Sequence, residues 1–156
     1  MLRELQTIVG KPASSQYSCA EDEIITGMAV VKDQATGTFG FVEAETAADL
    51  FFVDKERVPS GINAARTDMS DYDEDFVTLK NGELGKLIAY HAGERFATDQ
   101  FVEGLAKGDR IAAGVDGKIK KAESTVDSKY VYVEEYVDNG HKLALIEVSD
   151  TVARNA

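Results

Sequence analysis

The acidic run Asp71-Tyr72-Asp73-Glu74-Asp75 is the part of this sequence whose spacing comes nearest to a chemical site. Aspartates at alternate positions match the first half of an EF-hand loop, in which carboxylate oxygens bind calcium. The same loop needs glycine at its sixth position and glutamate at its twelfth, where this chain has Phe76 and Gly82. No flanking helix is predicted either. We therefore interpret the run as a solvated acidic loop, and calcium binding by another loop geometry stays open.

The sequence contains few other candidates for metal ligands or catalytic nucleophiles. A zinc site needs three or four His, Cys or carboxylate ligands, and the spacing of His91, His141 and Cys19 does not bring them together. No serine stands in a Gly-x-Ser-x-Gly elbow. The run from Gly104 to Gly108 lacks the spacing and the Gly-Lys-Ser/Thr end of a phosphate loop. We therefore predict no catalytic residue, no metal and no cofactor, and we interpret the chain as a binding or structural protein and not as an enzyme.

The chain is acidic, with 17 basic and 28 acidic residues and a net charge of −11. Proteins that bind nucleic acid need a basic surface to neutralise phosphates, so we predict no nucleic-acid partner. The acidic balance favours solubility and suits docking on a basic protein surface. One compact basic cluster is interpreted as a solvated hairpin face, and it contains Lys107, Arg110, Lys118, Lys120 and Lys121.

The start of the chain carries no apolar signal region, and no uncharged run approaches the roughly 20 residues of a membrane span. The single cysteine, Cys19, allows no intramolecular disulfide, which fits a reducing compartment. We therefore predict synthesis in the cytoplasm and no membrane partner.

Short apolar runs and glycine-containing turns dominate the chain from Ile24 onward. Phe39 and Phe41 alternate at period two, and residues 50–53 form a continuous apolar run, as in a strand buried on both faces. No long segment keeps a helical period, although residues 94–105 fit either a short helix or an irregular strand. Hairpin turns are predicted at Asn81-Gly82 and Asn139-Gly140, and a tight turn is predicted at Asp116-Gly117.

These elements predict a mostly β, compact, barrel-like single domain over residues 23–150. Residues 1–22 are poor in apolar side chains after Val9 and are predicted to form a flexible N-terminal arm. Residues 151–156 are predicted to be a disordered tail.

Two stretches of the sequence resemble each other. The first runs from Gly27 through Gly37 to Phe51-Phe52-Val53, and the second runs from Gly108 through Gly117 to Val131-Tyr132-Val133. Each reads as a strand, a glycine turn, a return strand, a polar loop and a buried strand. Two similar halves packed around a common core are one explanation, and the shared composition of β-hairpins is the other.

The tyrosines at 130 and 132 project to one face of a predicted strand. They form either a half-buried cross-strand ladder or a surface that contacts a sugar or a protein. A non-catalytic β-sandwich that binds carbohydrate or another protein is therefore an alternative function. A second alternative comes from Lys107-Gly108-Asp109-Arg110-Ile111, which resembles lipoyl-type carrier barrels. The Asp-Lys pair of those barrels is missing from both Asn-Gly turns.

Residues 82–121 carry a further resemblance. This stretch contains Gly108-Asp109-Arg110-Ile111 and the hairpin Asp116-Gly117-Lys118, and a closing strand follows at residues 141–150. In these motifs the chain resembles the capsid decoration proteins of tailed bacteriophages, also called cement or head-stabilisation proteins. The acidic connection at residues 60–75 has no counterpart in that pattern.

The resemblance implies a β-tulip-like barrel that binds the outer surface of a viral capsid and stabilises it. It also implies the major capsid protein as partner, assembly as a trimer, localisation in the virion, and an arm that contacts the capsid or a neighbouring subunit. The candidate contact residues of the arm are Leu5, Ile8, Val9, Pro12 and Tyr17.

Overall fold

The computed structural model describes residues 1–8, 13–55 and 74–156, with side chains described from residue 16 in the second range and from residue 76 in the third. One helical turn, α1, spans Glu74–Val77. The strands are β1 Leu2–Gln6, β2 Ala13–Cys19, β3 Glu23–Ile25, β4 Ala29–Asp33, β5 Thr38–Gly40, β6 Phe51–Asp54, β7 Thr78–Lys80, β8 Leu84–Ile88, β9 Arg95–Thr98, β10 Ile111–Ala113, β11 Ile119–Lys121, β12 Ser128–Asp138 and β13 His141–Ala153. No helix within the described ranges is long and apolar enough to cross a membrane.

The predicted mostly β domain with a barrel is confirmed. Five strands close into a barrel in the order β2-β5-β4-β6-β8, in which β2 and β5 are parallel and the other pairs are antiparallel. A four-stranded sheet has the order β1-β9-β13-β12, so β1 and β12 are its outer strands. The hairpins β3-β7 and β10-β11 form two further small sheets. Closure leaves the barrel without an unpaired edge.

Two apolar clusters meet at the barrel wall. The smaller cluster lies inside the barrel and contains Val30, Phe39, Val53 and Leu87. The larger cluster lies between the outside of the barrel, the four-stranded sheet and β10-β11. In β6, Phe52 belongs to the larger cluster and Val53 to the smaller one, and both side chains are fully buried. The prediction of a strand buried on both faces is therefore confirmed.

The internal similarity has a structural counterpart. In the first half β4 lies between β5 and β6 and is antiparallel to both. In the second half β10 pairs with β11 in the same way, and Arg110 forms an antiparallel bridge to Val131 of β12. The strand orders β5-β4-β6 and β11-β10-β12 are thus equivalent, and both units contribute side chains to the larger apolar cluster.

A crossed pair of backbone hydrogen bonds marks the same point in both units. The Gly27 N–H donates to the Val53 carbonyl at 2.7 Å, and the Val53 N–H donates to the carbonyl of the residue after the glycine at 3.1 Å. In the second unit the Gly108 N–H donates to the Tyr132 carbonyl and the Tyr132 N–H donates to the Asp109 carbonyl, each at 2.9 Å. The two glycines have φ angles of 96° and 91°. Val53 therefore corresponds to Tyr132 and not to Val133, one residue away from the register that the sequence comparison indicates.

The prediction of a flexible arm over residues 1–22 is wrong for the residues that the structure describes. Strand β1 pairs with β9, and β2 closes the barrel between β5 and β8. The Met1 side chain is only 2% exposed, and its amino group donates to the Thr26 carbonyl at 2.8 Å and lies 2.6 Å from the Asp99 carboxylate. A few buried contacts of this kind hold a polar segment that has little apolar periodicity.

The predicted disordered tail over residues 151–156 is also corrected. Strand β13 continues to Ala153, and the Asn155 side chain follows it with three hydrogen bonds to backbone groups. Its amide donates to the carbonyls of Arg110 and Ala122, and its oxygen accepts the Arg110 N–H at 2.8 Å. The tail is therefore anchored at the start of the second repeat unit.

The three predicted turns differ in what they connect. Asn139-Gly140 joins the long hairpin β12-β13, and both residues have positive φ, as a type I′ turn requires. Asp116-Gly117 joins β10 to β11. Asn81-Gly82 is a turn but not a hairpin, because β7 pairs with β3 while β8 pairs with β2 and β6. Residues 94–105 begin with a strand, β9.

Candidate interaction surface

The residues with the best potential for catalysis or metal binding lie in different parts of the fold. Cys19 is buried at the end of β2, His91 is exposed in the loop after β8, and His141 is exposed at the start of β13. Within the described ranges, no three His, Cys, Asp or Glu side chains are grouped as a metal site would need. Asp71 and Asp73 of the acidic run lie outside the described residues, as does the side chain of Asp75.

Cys19 is held as a neutral thiol. Its Sγ lies 3.3 Å from the Glu21 carbonyl, to which the thiol donates, and burial raises its pKa above the ordinary value for cysteine. The nearby Glu21 and Glu83 carboxylates raise the pKa further. Because the thiolate is the reactive form, this environment does not activate a nucleophile.

Three members of the basic cluster make contacts within the molecule, and two of these contacts are ion pairs. Lys120 Nζ lies 2.6 Å from Glu45 Oε2, and Lys121 Nζ lies 2.9 Å from Asp109 Oδ1. The Arg110 guanidinium donates to the carbonyls of Ser128 and Thr151. Lys120, Lys121 and Arg110 therefore fasten the β10-β11 hairpin and the end of β13.

The two tyrosines of β12 share a face, as predicted, but that face is buried. Tyr130 is 1% exposed and Tyr132 is 8% exposed. The Tyr130 ring packs edge-on against Phe52 and Phe96 in the larger apolar cluster. Both tyrosines are therefore buried more deeply than the predicted half-buried ladder requires. They do not form an open platform on which a sugar could stack.

The predicted arm contacts fall into two places. Leu5 and Ile8 lie at the outer strand of the four-stranded sheet, and they are 42% and 60% exposed. Tyr17 lies on the barrel strand β2 and is half-buried, with Lys32 Nζ 4.9 Å from its ring centroid. Val9 and Pro12 lie outside the described residues. The structure therefore separates Tyr17 from Leu5, which lies in a different sheet, and from Ile8, which follows the end of β1.

A β-bulge brings Leu5 outward. In the pairing of β1 with β9, Glu4 is opposite Phe96 and Gln6 is opposite Arg95, so Leu5 is an extra residue without a register partner. A bulge bends the strand and redirects the side chain of the extra residue. This explains why an apolar residue in a paired strand remains exposed.

A buried carboxylate fixes the end of this strand. Glu94 is 2% exposed, and its two oxygens accept the Ile8 N–H at 3.0 Å and the His91 N–H at 2.8 Å. The Ile8 Cδ1 atom lies 2.7 Å from the position that a Cβ atom on Gly93 would occupy. The Ile8 backbone is therefore held against the loop at residues 91–94, and the tip of its side chain lies over Gly93 although the residue is 60% exposed. Sequence reasoning missed Glu94, because a lone glutamate after a glycine carries no recognisable pattern.

We define the β1 surface as Leu5, Ile8 and the outer edge of β1. Among the described strands, β1 pairs only with β9, so its other edge has no strand partner there. Three clefts on the described surface have volumes of about 220 to 290 Å³, below the range of about 300 to 1,000 Å³ that is usual for small-molecule sites.

No protein-family model, curated protein or solved structure matches this chain at a significant level.

Proposed function

We propose that this chain is a non-catalytic structural protein that binds the outer surface of a bacteriophage capsid and stabilises it as a decoration protein. The observation that carries the proposal is the β1 surface, where two large apolar side chains are exposed on or just after a strand that is outermost among the described strands of its sheet. Exposed apolar side chains on an outer strand are a common feature of surfaces that contact another chain.

The β1 surface is pre-organised for such a contact. Met1 is buried at one end of β1, and the Glu94 carboxylate holds the backbone of Ile8 at the other. A strand that is already ordered loses less conformational entropy on binding than a flexible arm does. The docking element is therefore a fixed edge, which replaces the flexible arm that the sequence suggests.

The charge of the molecule supports the same role. A net charge of −11 favours solubility of the free protein and attachment to a basic protein surface. Because a capsid presents many identical sites, a protein that binds only the assembled shell stabilises it by mass action. In this proposal the partner is the major capsid protein, the attached form is a trimer and the location is the virion.

The test is co-sedimentation with expanded heads assembled from the capsid protein encoded in the same genome. We expect saturable binding of the wild-type chain and a loss of about tenfold or more in affinity for the double variant Leu5→Ser and Ile8→Ser, which corresponds to roughly 1.4 kcal/mol. The matched control is Leu84→Ser with Val152→Ser, since these side chains are 62% and 63% exposed on other elements.

Two results would refute the proposal. One is the absence of wild-type binding at micromolar concentration. The other is an equal loss of binding in the control variant, which would mean that the β1 surface is not special. Circular dichroism of all variants shows whether they keep the fold.

A further inference from the structure

The chain contains two exposed Asn-Gly turns, Asn81-Gly82 and Asn139-Gly140, and their hydrogen bonding differs. Asparagine is a thermolabile residue, and it is most labile before glycine, because the backbone nitrogen of the glycine can attack the asparagine side chain. We propose that Asn139 is a modification site, at which the folded protein slowly converts the asparagine to aspartate and isoaspartate. The same structure protects Asn81 from this reaction.

The reaction is a cyclisation followed by a hydrolysis. The Gly140 backbone nitrogen gives up its proton and bonds to Cγ of Asn139, and the bond from Cγ to Nδ2 breaks, so that Nδ2 leaves as ammonia with that proton. Water then opens the imide ring at one of its two carbonyl carbons. Opening at one carbon gives aspartate, and opening at the other gives isoaspartate, in which the main chain runs through the side chain. The net change consumes one water and releases one ammonia.

The reacting groups at Asn139 can meet without breaking a contact. Asn139 and Gly140 are exposed, and among the described residues neither the Asn139 side chain nor the Gly140 N–H makes a hydrogen bond. A Cβ atom on Gly140 would have no neighbour within 4 Å, so the nitrogen is sterically open. Strand β9 pairs with β13 only from Ala144 onward. The end of the β12-β13 hairpin is therefore a two-stranded ribbon within the described part of the fold, and such ribbons are marginally stable.

The reacting groups at Asn81 are held apart by hydrogen bonds. The Asn81 side-chain amide donates to the Ala20 carbonyl at 2.8 Å, and the Gly82 N–H donates to the Cys19 carbonyl at 2.9 Å. Asn81 and Gly82 are as open as the other pair, since both are exposed and a Cβ atom on Gly82 would also have no neighbour within 4 Å. Attack at Asn81 therefore needs a local opening that breaks both bonds.

The isoaspartate product changes the hairpin. It adds one atom to the main chain, so the two-residue type I′ turn with positive φ at both positions no longer fits. The turn joins Asp138 to His141, and Asp138 Oδ2 accepts a hydrogen bond from Arg3 Nε at 2.9 Å. We expect the end of the hairpin to open and this contact with β1 to weaken. The reaction needs only water, so it does not depend on what the β1 surface binds.

The experiment is an ageing study of the full chain in mildly alkaline buffer at physiological temperature. Peptide mapping by mass spectrometry follows the gain of about 1 Da that accompanies replacement of the amide by an acid, and chromatography separates the aspartate and isoaspartate peptides. Because Asn81 reacts only after local opening, we expect it to convert at least about tenfold more slowly than Asn139 in the folded protein. The matched control is the same chain unfolded in urea, in which both sites should convert at similar rates.

Hydrogen exchange measures the consequence for the hairpin. We expect residues 137–142 to exchange faster in aged protein that carries isoaspartate than in fresh protein. The variant Asn139→Asp has the new charge without the additional main-chain atom, and it should exchange like fresh wild-type protein.

Three results would overturn the assignment of Asn139 as a modification site of the folded protein. The first is an unmodified Asn139 in buffer when the same residue converts in urea. The second is conversion of Asn81 as fast as Asn139 in the folded chain. The third is a ratio of the two rates in urea equal to that in buffer, which would attribute the difference to local sequence. Equal exchange of aged and fresh protein would refute the effect on the hairpin.

Discussion

Tyr90 and Tyr130 are buried in the larger apolar cluster, and neither hydroxyl has a hydrogen-bond partner among the described residues. Burial raises the pKa of both phenols, and for Tyr90 the nearby carboxylates of Glu4, Asp54 and Glu94 raise it further. Both side chains therefore stay neutral. Their rings pack against other aromatic side chains in the core; Tyr90, for example, stacks on Phe96 with ring centroids 4.1 Å apart. The rings stabilise the core and the hydroxyls do not.

Tyr130→Phe should leave stability unchanged or raise it by up to about 1 kcal/mol, since a buried hydroxyl without a partner costs about 1 to 3 kcal/mol of desolvation and the substitution keeps the ring. Urea unfolding followed by circular dichroism measures this change. A loss of more than about 1 kcal/mol would show that the Tyr130 hydroxyl makes a stabilising hydrogen bond after all.

Ser128 also has a buried hydroxyl, but this hydroxyl is hydrogen-bonded, so its removal should lower stability. Its buried Oγ donates to the Ile111 carbonyl at 2.6 Å and accepts the Tyr130 N–H at 3.0 Å. Ser128→Ala removes both bonds and leaves the Tyr130 N–H unpaired, so we expect a loss of about 1 to 3 kcal/mol in the same unfolding experiment. An unchanged midpoint would contradict the assignment of these bonds.

Cys19 should react slowly in the folded protein. Its pKa is raised above the usual value for cysteine by burial, so at pH 8 a smaller fraction is thiolate than in a free peptide, and the barrel also blocks access. We expect alkylation by iodoacetamide to be at least about tenfold slower in buffer than in urea, as measured by intact mass. Similar rates in both conditions would show that Cys19 is exposed in solution.

Gly27 and Gly108 occupy equivalent positions in the two repeat units, so the cost of adding a Cβ atom can be compared between them. A Cβ atom at Gly27 would lie 2.4 Å from Thr98 Oγ1 and 2.7 Å from the Met1 carbonyl, whereas one at Gly108 would have no neighbour within 4 Å. Both residues have positive φ. Gly108→Ala should therefore cost about 1 to 2 kcal/mol for the backbone alone, and Gly27→Ala should cost a further 1 to 3 kcal/mol or so for the overlap. Equal costs in chemical unfolding would contradict this difference between the repeats.

The sequence predicts an element well when the conformation of that element depends on its own residues and not on distant contacts. The Asn139-Gly140 turn needs positive φ at both residues, and the run at residues 50–53 is apolar on both faces, so each is readable from the sequence. Strand β1 and the chain terminus are different, because single contacts of Met1 and Asn155 with distant backbone groups hold them. Such contacts have no periodicity, and the sequence therefore suggested disorder at both ends.

The candidate surface was predictable only in part. Leu5 and Ile8 stand out in the sequence as apolar residues in a polar segment, and the structure leaves them exposed. The bulge that turns Leu5 outward depends on the register with β9, and the anchoring of Ile8 depends on Glu94 from a loop 86 residues away. Register and long-range partners are tertiary properties, which the local sequence does not encode.

At the scale of the whole molecule, the proposal predicts a defined oligomer. The attached form is proposed to be a trimer, and a stable one would sediment at three times the chain mass of 16.9 kDa. We expect sedimentation velocity to give a single species of that mass at micromolar concentration. A monomer that persists at the highest concentrations would contradict the trimer, while binding to heads would remain a separate question.

Electron cryo-microscopy of the heads with and without this chain tests the central claim most directly. We expect additional density on the outside of the shell at the junctions between capsomers, with the barrel facing solvent and β1 against the capsid protein. The absence of added density at saturating concentration would contradict the proposed function. Added density that contacts the shell through the barrel instead of β1 would contradict the assignment of the docking surface.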